Sequence, residues 1–362
     1  MLPSSLAAFV ALISLTGLSQ AVAQESNGGA GQGGSGVSSS VFLATATSIS
    51  TFGSTTTQAV STVSQAAATS SSTVASGIRL LQAQVHNSSG TLELCHTSCD
   101  LLDAGTLESF LTDIKKWMDA NTNEVVTLLL VNSDNRDASA FGTVFESSGI
   151  STYSYKPTST NLTRGPMSTW PTLQSLITAN KRLITFIASV TPDSTYPYLL
   201  DEFDYVFETT FGVSSLSGFN CTPQRPSTLT SSTSAISSGY LGLLNHFTDT
   251  AEAFGISVPD ITDIDTTNSA STNITGALGT NGAECETGWG SKPTFMLVDF
   301  WNVGASIETA DNLNGITATG RTSVSTAELT PGSSGASSMI RDVPRLALAA
   351  IIFVAVGNFV FM

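Results

Sequence analysis

An amphipathic helix followed by an unbroken apolar strand occurs twice in this chain, and that repeated order constrains its fold more than any other feature. Leu107, Phe110, Leu111, Ile114, Trp117 and Met118 recur at helical spacing, Ala120-Asn121 ends the run, and Val125 to Val131 follows as a continuous strand of apolar character. Trp170, Leu173, Leu176 and Ile177 make a second such helix, stopped at Ala179-Asn180 and followed by Leu183 to Ala188. Lys292 to Asn302, KPTFMLVDFWN, supplies a further strand with Asp299 near its C-terminal end. Strands without polar alternation are buried on both faces, and single intervening helices make them parallel. The pattern permits an open doubly wound sheet or a closed barrel; within residues 77–316 no GxGxxG or phosphate-loop motif supports the first.

The folded unit is expected over residues 77–316, about 240 residues and near the size of one (β/α)8 barrel. Residues 24–76 are dominated by Ser, Thr, Gly and Ala, with Val41-Phe42-Leu43 the main apolar interruption. Such a segment buries too little surface to offset its ordering entropy and is expected to be disordered. Residues 317–338 repeat that composition and read as a Ser/Thr-rich stalk.

The two ends read as sorting signals. Residues 1–23 are apolar and uncharged, and Ala21-Val22-Ala23 fits the small-residue cleavage rule of a secretory signal peptide. Residues 339–362 carry the apolar run Leu346 to Met362 behind a polar spacer, the order of a glycosylphosphatidylinositol anchor signal, with Ser334 as the attachment residue ahead of Gly335 and Ala336. The rival is a transmembrane helix, for which about 17 residues is the bottom of the spanning range. Sequons at Asn87, Asn161, Asn220 and Asn273 agree with passage through the secretory pathway. The expected location is therefore the cell surface, on the plasma membrane or in the wall. A net charge of −15 argues against nucleic acid or an anionic lipid surface as partner, so membrane association is expected only through the anchor.

Chemistry concentrates in Gly77 to Asp100, GIRLLQAQVHNSSGTLELCHTSCD, which holds two of the chain's three histidines and two of its four cysteines. Alternation places Leu80, Gln82, Gln84 and His86 on one strand face and Arg79, Leu81, Ala83 and Val85 on the other. Gly90 marks a turn, and LELCH runs into His96, between Cys95 and Cys99. In an oxidising compartment the four cysteines favour disulfides, with Cys95 expected to pair with Cys99 and Cys221 with Cys285. Zinc at Cys95, His96 and Cys99 is the alternative, though a second ligand cluster is lacking.

This stretch resembles conserved blocks of the phosphatidylinositol-specific phospholipase C-like phosphodiesterases, particularly a secreted fungal branch. The similarity continues through DIKKWMDANTNEVVTLLLV, WPTLQSLITANKRLITFIAS, YPYLLDEFDYVFE and KPTFMLVDFWNVG, from Gly77 to Ile316. It implies an irregular (β/α)8 barrel and cleavage of a phosphodiester by internal attack, with one histidine taking a proton and a second returning one. His96 falls on the family's second histidine and Asp299 on its last-strand aspartate. Gln82 and Gln84 fall where active relatives carry charged residues, and neither balances phosphate charge or holds calcium as a carboxylate does. No cofactor is expected on that ground, calcium included.

The family's first histidine block, which ends the first barrel strand, is missing: no histidine precedes His86. The first βα unit is accordingly expected to be absent or remodelled, and His86 is the candidate replacement. Two functions follow. One is a phosphodiesterase of weak activity on an inositol phospholipid or related diester; the other is a noncatalytic anchored surface protein whose barrel binds a polyol or glycan. His246 reads as a core residue, and Asp201, Glu202, Asp204 and Glu208 as a solvated acidic face, a weak basis for a glycoside hydrolase.

Overall fold

In the computed structural model the described residues are 42–45, 77–95, 99, 103–157, 170–251 and 257–317. His96, Asn161, Ser334, the expected signal peptide at 1–23, residues 318–338 and the anchor signal at 339–362 lie outside them. Along the chain run β1 (Phe42–Thr45), β2 (Leu80–Ser88), β3 (Thr91–Cys95), β4 (Asp103–Thr106), α1 (Leu107–Ala120), β5 (Val126–Asn132) and α2 (Ala138–Ser147). There follow α3 (Leu173–Thr178), β6 (Leu183–Ala188), β7 (Leu199–Asp201), α4 (Glu202–Tyr205), β8 (Val206–Glu208), α5 (Ser232–Ser237) and β9 (Leu241–Asn245). The last are β10 (Asp249–Ala251), β11 (Ser257–Pro259), α6 (Ile264–Thr267), α7 (Leu278–Trp289), β12 (Phe295–Val298) and α8 (Ser306–Asn314).

The fold is mixed α/β around a parallel sheet of order β7-β6-β5-β2-β1-β12-β9-β8. Apart from β7 and β8, each parallel strand pairs with its successor and β12 pairs with β1, an order compatible with a (β/α)8 barrel. β7 and β8 end the path, joined through the single turn α4 rather than by a ladder. The free edge of β8 is covered instead by Gln224-Arg225: Gln224 N–H donates to Glu208 O at 2.7 Å and Glu208 N–H to Arg225 O at 2.8 Å. An edge so covered presents no template to another chain.

β1 corrects one sequence expectation, the start of the folded unit at residue 77, and bears on a second, the absent or remodelled first βα unit. Phe42–Thr45 pairs in parallel with β12 and β2, filling the first-strand position between the last strand and the second. The folded unit thus begins upstream of residue 77, and the first strand is present. Four residues suffice because neighbours on both sides supply the ladders, whereas composition averaged over a Ser/Thr-rich tract dilutes so short a run.

The apolar runs are explained by two layers of core. Leu80, Leu129, Phe186, Leu243 and Leu297 pack together in one cluster. Leu81, Leu128, Ile187, Leu244 and Met296 fall in the other, with Leu111 and Ile114 of α1 and Phe141 and Phe145 of α2. Successive residues of one strand therefore enter opposite layers, as the pleat requires, and both faces must be apolar. The face that includes Leu80 is the inner one.

α1 shows how local signals and distant groups cooperate. Thr106 caps it by accepting the Ser109 N–H at 3.1 Å, and its apolar stripe is buried. Its other end is met by Arg182, only 1% exposed, which donates to the carbonyls of Met118, Asn121 and Glu124 at 3.1, 3.0 and 3.1 Å. A guanidinium at a helix C-terminus satisfies orphan carbonyls and complements the helix dipole.

Beyond Val85, β2 leaves the parallel ladder and pairs antiparallel with β3, Ser88 opposite Thr91. The turn residues Ser89 and Gly90 have φ of 50° and 94°, the twist that two-residue hairpins need and glycine supplies without strain. This hairpin stands at the C-terminal ends of the parallel strands, where barrels place their functional groups.

Candidate functional site

Along the inner face of β2, Leu80 is buried and Gln82, Gln84 and His86 are partly buried towards the strand's end. Gln84 lies opposite Val131 of β5. His86 is oriented by a residue that sequence reading did not single out. Asp134, in the turn after β5, lies with Oδ1 3.1 Å from His86 Nδ1, while its Oδ2 accepts the Asn87 N–H at 2.6 Å. Given that an ionised carboxylate only accepts, the hydrogen bond places a hydrogen on Nδ1, and in the neutral ring Nε2 is then the acceptor. Nε2 is buried and has no hydrogen-bond partner among the described residues. The available signal for Asp134 was its place, an acid just past the end of an apolar strand.

The expected disulfides are both present: Cys95 with Cys99 at the end of β3, and Cys221 with Cys285 of α7. Bonded sulfurs cannot act as thiolate ligands, so the zinc alternative at Cys95 and Cys99 falls, although Glu93 lies within 4.8 Å of both sulfurs. Trp289 Nε1 donates to Cys221 O at 2.8 Å, tying the second bridge to the helix. Of the sequons, Asn273 is exposed and Asn87 partly buried, and Asn220 donates to Thr210 Oγ1 at 3.1 Å.

Asp299 follows β12 on the inner face and is 2% exposed, with neither carboxyl oxygen hydrogen-bonded among the described residues. Burial, then the neighbouring Asp249, raises its pKa well above the usual carboxylate range. Burial also pushes Asp249 up to about 6. The backbone around Asp299 is fixed by Asn268, whose amide donates to the carbonyls of Asp299, Phe300 and Val303 at 2.8, 3.1 and 3.1 Å.

The acidic stretch 201–208 is not the solvated face that its composition suggested. Glu202 and Glu208 are each 1% exposed. Glu208 forms an ion pair with Arg225 and accepts from Asn245 Nδ2 at 3.4 Å. Burial first, and Glu208 second, raise the pKa of Glu202. The reason is the short β7-α4-β8 connection, which turns side chains of one local run into the interior where the sheet path ends. A glycosidase pair drawn from different strand ends is not what forms, since Glu208 is neutralised by Arg225.

His246 is the core residue expected. It is fully buried and stacked on Phe219 with ring centroids 3.8 Å apart. Nε2 lies 3.0 and 3.1 Å from the carbonyls of Thr267 and Gly276, and Nδ1 lies 3.0 Å from the Asn281 amide. Burial lowers its pKa to about 4.

Comparison with known proteins sets this arrangement in context. The family described as PI-PLC X matches residues 43–314, beginning within β1. The PI-PLC X domain-containing protein 1 of Arthroderma benhamiae is 38% identical over 242 residues, covering 66% of this chain and 75% of the relative. An uncharacterized secreted protein of the same fungus is 34% identical over 252 residues, covering 68% of this chain and 55%, little more than half, of the relative. Among solved structures, the phosphatidylinositol-specific phospholipase C of Listeria monocytogenes is 12% identical with a TM-score of 0.38, covering 69% of this chain and 82% of that one. A Staphylococcus aureus phosphatidylinositol-specific phospholipase C is 12% identical with a TM-score of 0.40, covering 68% and 83%. The family match over most of the folded unit, together with the first fungal relative, places the chain in the PI-PLC X family.

Proposed function

We propose that this chain is a secreted, surface-anchored phosphodiesterase of the phospholipase C type, acting weakly on an inositol phospholipid or a related phosphodiester. The observation that carries the reading is His86, held by Asp134 with Nε2 unpartnered, on the inner face of β2 beside Gln82 and Gln84. In the proposed step a hydroxyl next to the phosphate gives its proton to His86 Nε2 as its oxygen bonds to phosphorus. The ester bond to the leaving alcohol breaks, and His96 returns a proton to that oxygen. Gln82 and Gln84 hydrogen-bond the substrate's oxygens without neutralising them, and Asp299 lines the same mouth.

Weak turnover follows from what the strands carry. β1, Phe42-Leu43-Ala44-Thr45, has no histidine, and neutral glutamines leave the phosphate charge uncompensated. Loss of one acid/base group lowers rate by about 10²- to 10⁴-fold. Inositol phosphate release by the purified protein, with and without calcium, is expected to be far below that of an active phospholipase C and to fall further in His86→Ala. Turnover untouched by His86→Ala would remove His86 from the mechanism. No release, with saturable binding of inositol or a glycan, would favour the noncatalytic reading, for which the neutral glutamine pair is the supporting feature.

Secretion is supported by the sequons, the disulfides and a relative named as a secreted protein. Anchorage near Ser334 rests on the C-terminal sequence order. Release from intact cells by an anchor-cleaving phospholipase is the expected result, and recovery of Phe359 to Met362 from the mature protein would overturn it.

A further inference from the structure

We propose, on the secretion inferred above, that the folded protein carries an N-linked glycan on Asn273 and none on Asn220. Asn220-Cys221-Thr222 and Asn273-Ile274-Thr275 both satisfy the acceptor pattern, so the sequence makes them equivalent. Geometry separates them. In the transfer, Asn Nδ2 bonds to the anomeric carbon of an oligosaccharide borne on a lipid pyrophosphate. That carbon's bond to the pyrophosphate oxygen breaks, the lipid pyrophosphate leaves, and Nδ2 gives up one proton. The product amide keeps a single N–H and needs open space where the other hydrogen was.

Asn273 has that space. It lies in the loop between α6 and α7, where Thr272, Asn273, Ile274 and Thr275 are exposed in succession. Its Oδ1 accepts the Ser271 hydroxyl at 2.6 Å, which orients the amide, while its Nδ2 donates to no described residue. The loop beneath is pinned. Thr280 Oγ1 donates to the carbonyls of Ser271 and Ile274 at 3.1 and 2.8 Å, and the Ala277 N–H to Ile274 O at 3.1 Å. At its foot, Gly276 O lies 3.1 Å from Nε2 of the buried His246, which directly follows β9. The acceptor thus stands at the C-terminal end of the parallel strands, the end that also carries His86.

Asn220 has no such space. Its Nδ2 donates to Thr210 Oγ1 at 3.1 Å and to Gly218 O at 3.5 Å, and its Oδ1 accepts the Thr222 N–H at 2.9 Å. A sugar carbon in place of either hydrogen, about 1.5 Å from nitrogen, costs one of these bonds and sets a pyranose ring against the oxygen that received it. The middle residue of this sequon is held as well. Cys221 is bridged to Cys285, and its carbonyl accepts from Nε1 of Trp289, itself 1% exposed, at 2.8 Å. The segment cannot lift away from α7 without breaking a core contact. Oligosaccharide transfer meets the chain before folding is finished, and chains modified at Asn220 cannot then reach this packing.

Glycopeptide mapping of the full chain, expressed in a yeast under its own leader, tests the choice on the folded fraction. An amidase acting in heavy-oxygen water converts each glycosylated Asn to labelled Asp. The Asn273 peptide should be labelled and the Asn220 peptide should not. Thr275→Ala, which keeps Asn273 but ends its sequon, should migrate faster on a gel by one glycan, and Thr222→Ala should migrate with the parent. Should Thr275→Ala fail to fold, Asn273→Gln serves in its place, and mapping of the parent needs no variant. A labelled Asn220 in the folded fraction, or an unlabelled Asn273 beside a labelled Asn87 or Asn161, refutes the choice between sequons. Four unlabelled sequons refute it together with passage through the secretory pathway, so the two failures read differently.

Discussion

Acid should destabilise this fold through His246, and the size of the effect can be worked from its surroundings. The imidazole is fully buried between Phe219, two carbonyls and Asn281, and its pKa falls from 6.5 to about 4. Folded protein therefore binds this proton less tightly than unfolded protein does. The stabilising contribution is complete above pH 6.5 and is lost as pH falls towards 4. Between pH 7.5 and 4.5 the two-state linkage gives a loss of about 2.5 kcal/mol, a large share of an ordinary domain's stability. Asp249, pushed up to about 6, works in the other sense: its contribution is lost as pH rises from 3.8 through 6. That opposing slope makes the raw pH profile ambiguous, so the measurement is a difference. Urea unfolding of the parent and of His246→Gln at pH 7.5, 6.5, 5.5 and 4.5 removes every shared slope. The variant should be the less stable at pH 7.5, having lost the stacked and bonded ring, and the gap should narrow by about 2.5 kcal/mol at pH 4.5. A gap independent of pH, or an imidazole proton resonance titrating near 6.5, would refute the reasoning.

Arg182→Met should take the guanidinium from the carbonyls of Met118, Asn121 and Glu124, of which Asn121 O keeps the Glu124 N–H at 3.3 Å, for a loss of about 2–4 kcal/mol in urea unfolding. Arg182→Lys, with a charge but no planar fork, should recover only part of it; a loss below about 1 kcal/mol for Arg182→Met would show that water replaces the guanidinium. The two disulfides should differ in worth because their loops differ, with sequence separations of 4 and 64. Loop-closure entropy predicts a loss of about 2 kcal/mol for Cys95→Ser with Cys99→Ser and about 4 kcal/mol for Cys221→Ser with Cys285→Ser. Equal losses would point to contacts around the sulfurs, such as Trp289 on Cys221 O, as the dominant contribution.

Much of the architecture was legible before any coordinates. α1 with β5, and α3 with β6, stand where helical spacing and unbroken apolar runs placed them, and the hairpin turns at Gly90. Both disulfides join the expected partners. β1 was missed because four residues in a Ser/Thr-rich tract have no period of their own; only the ladders on either side make them a strand. Composition also misjudged Glu202 and Glu208, since a run of acids looks solvated until a tight strand-helix-strand connection turns it inward.

For the candidate site, the sequence by itself determined which side chains share the inner face of β2, because the pleat has period two whatever the strand packs against. It also determined that His86, Gln82 and Gln84 form one row and that Asp299 closes the last strand. What holds or confronts those groups was decided only by tertiary structure. Asp134 reaches His86 from the turn after another strand, and Arg225 reaches Glu208 across the end of the sheet path. Each of those pairs joins residues on separate segments, and their meeting depends on the order and register of the parallel strands. Local periodicity carries no information about register between strands, so the electrostatics of the mouth appear only once the sheet is assembled.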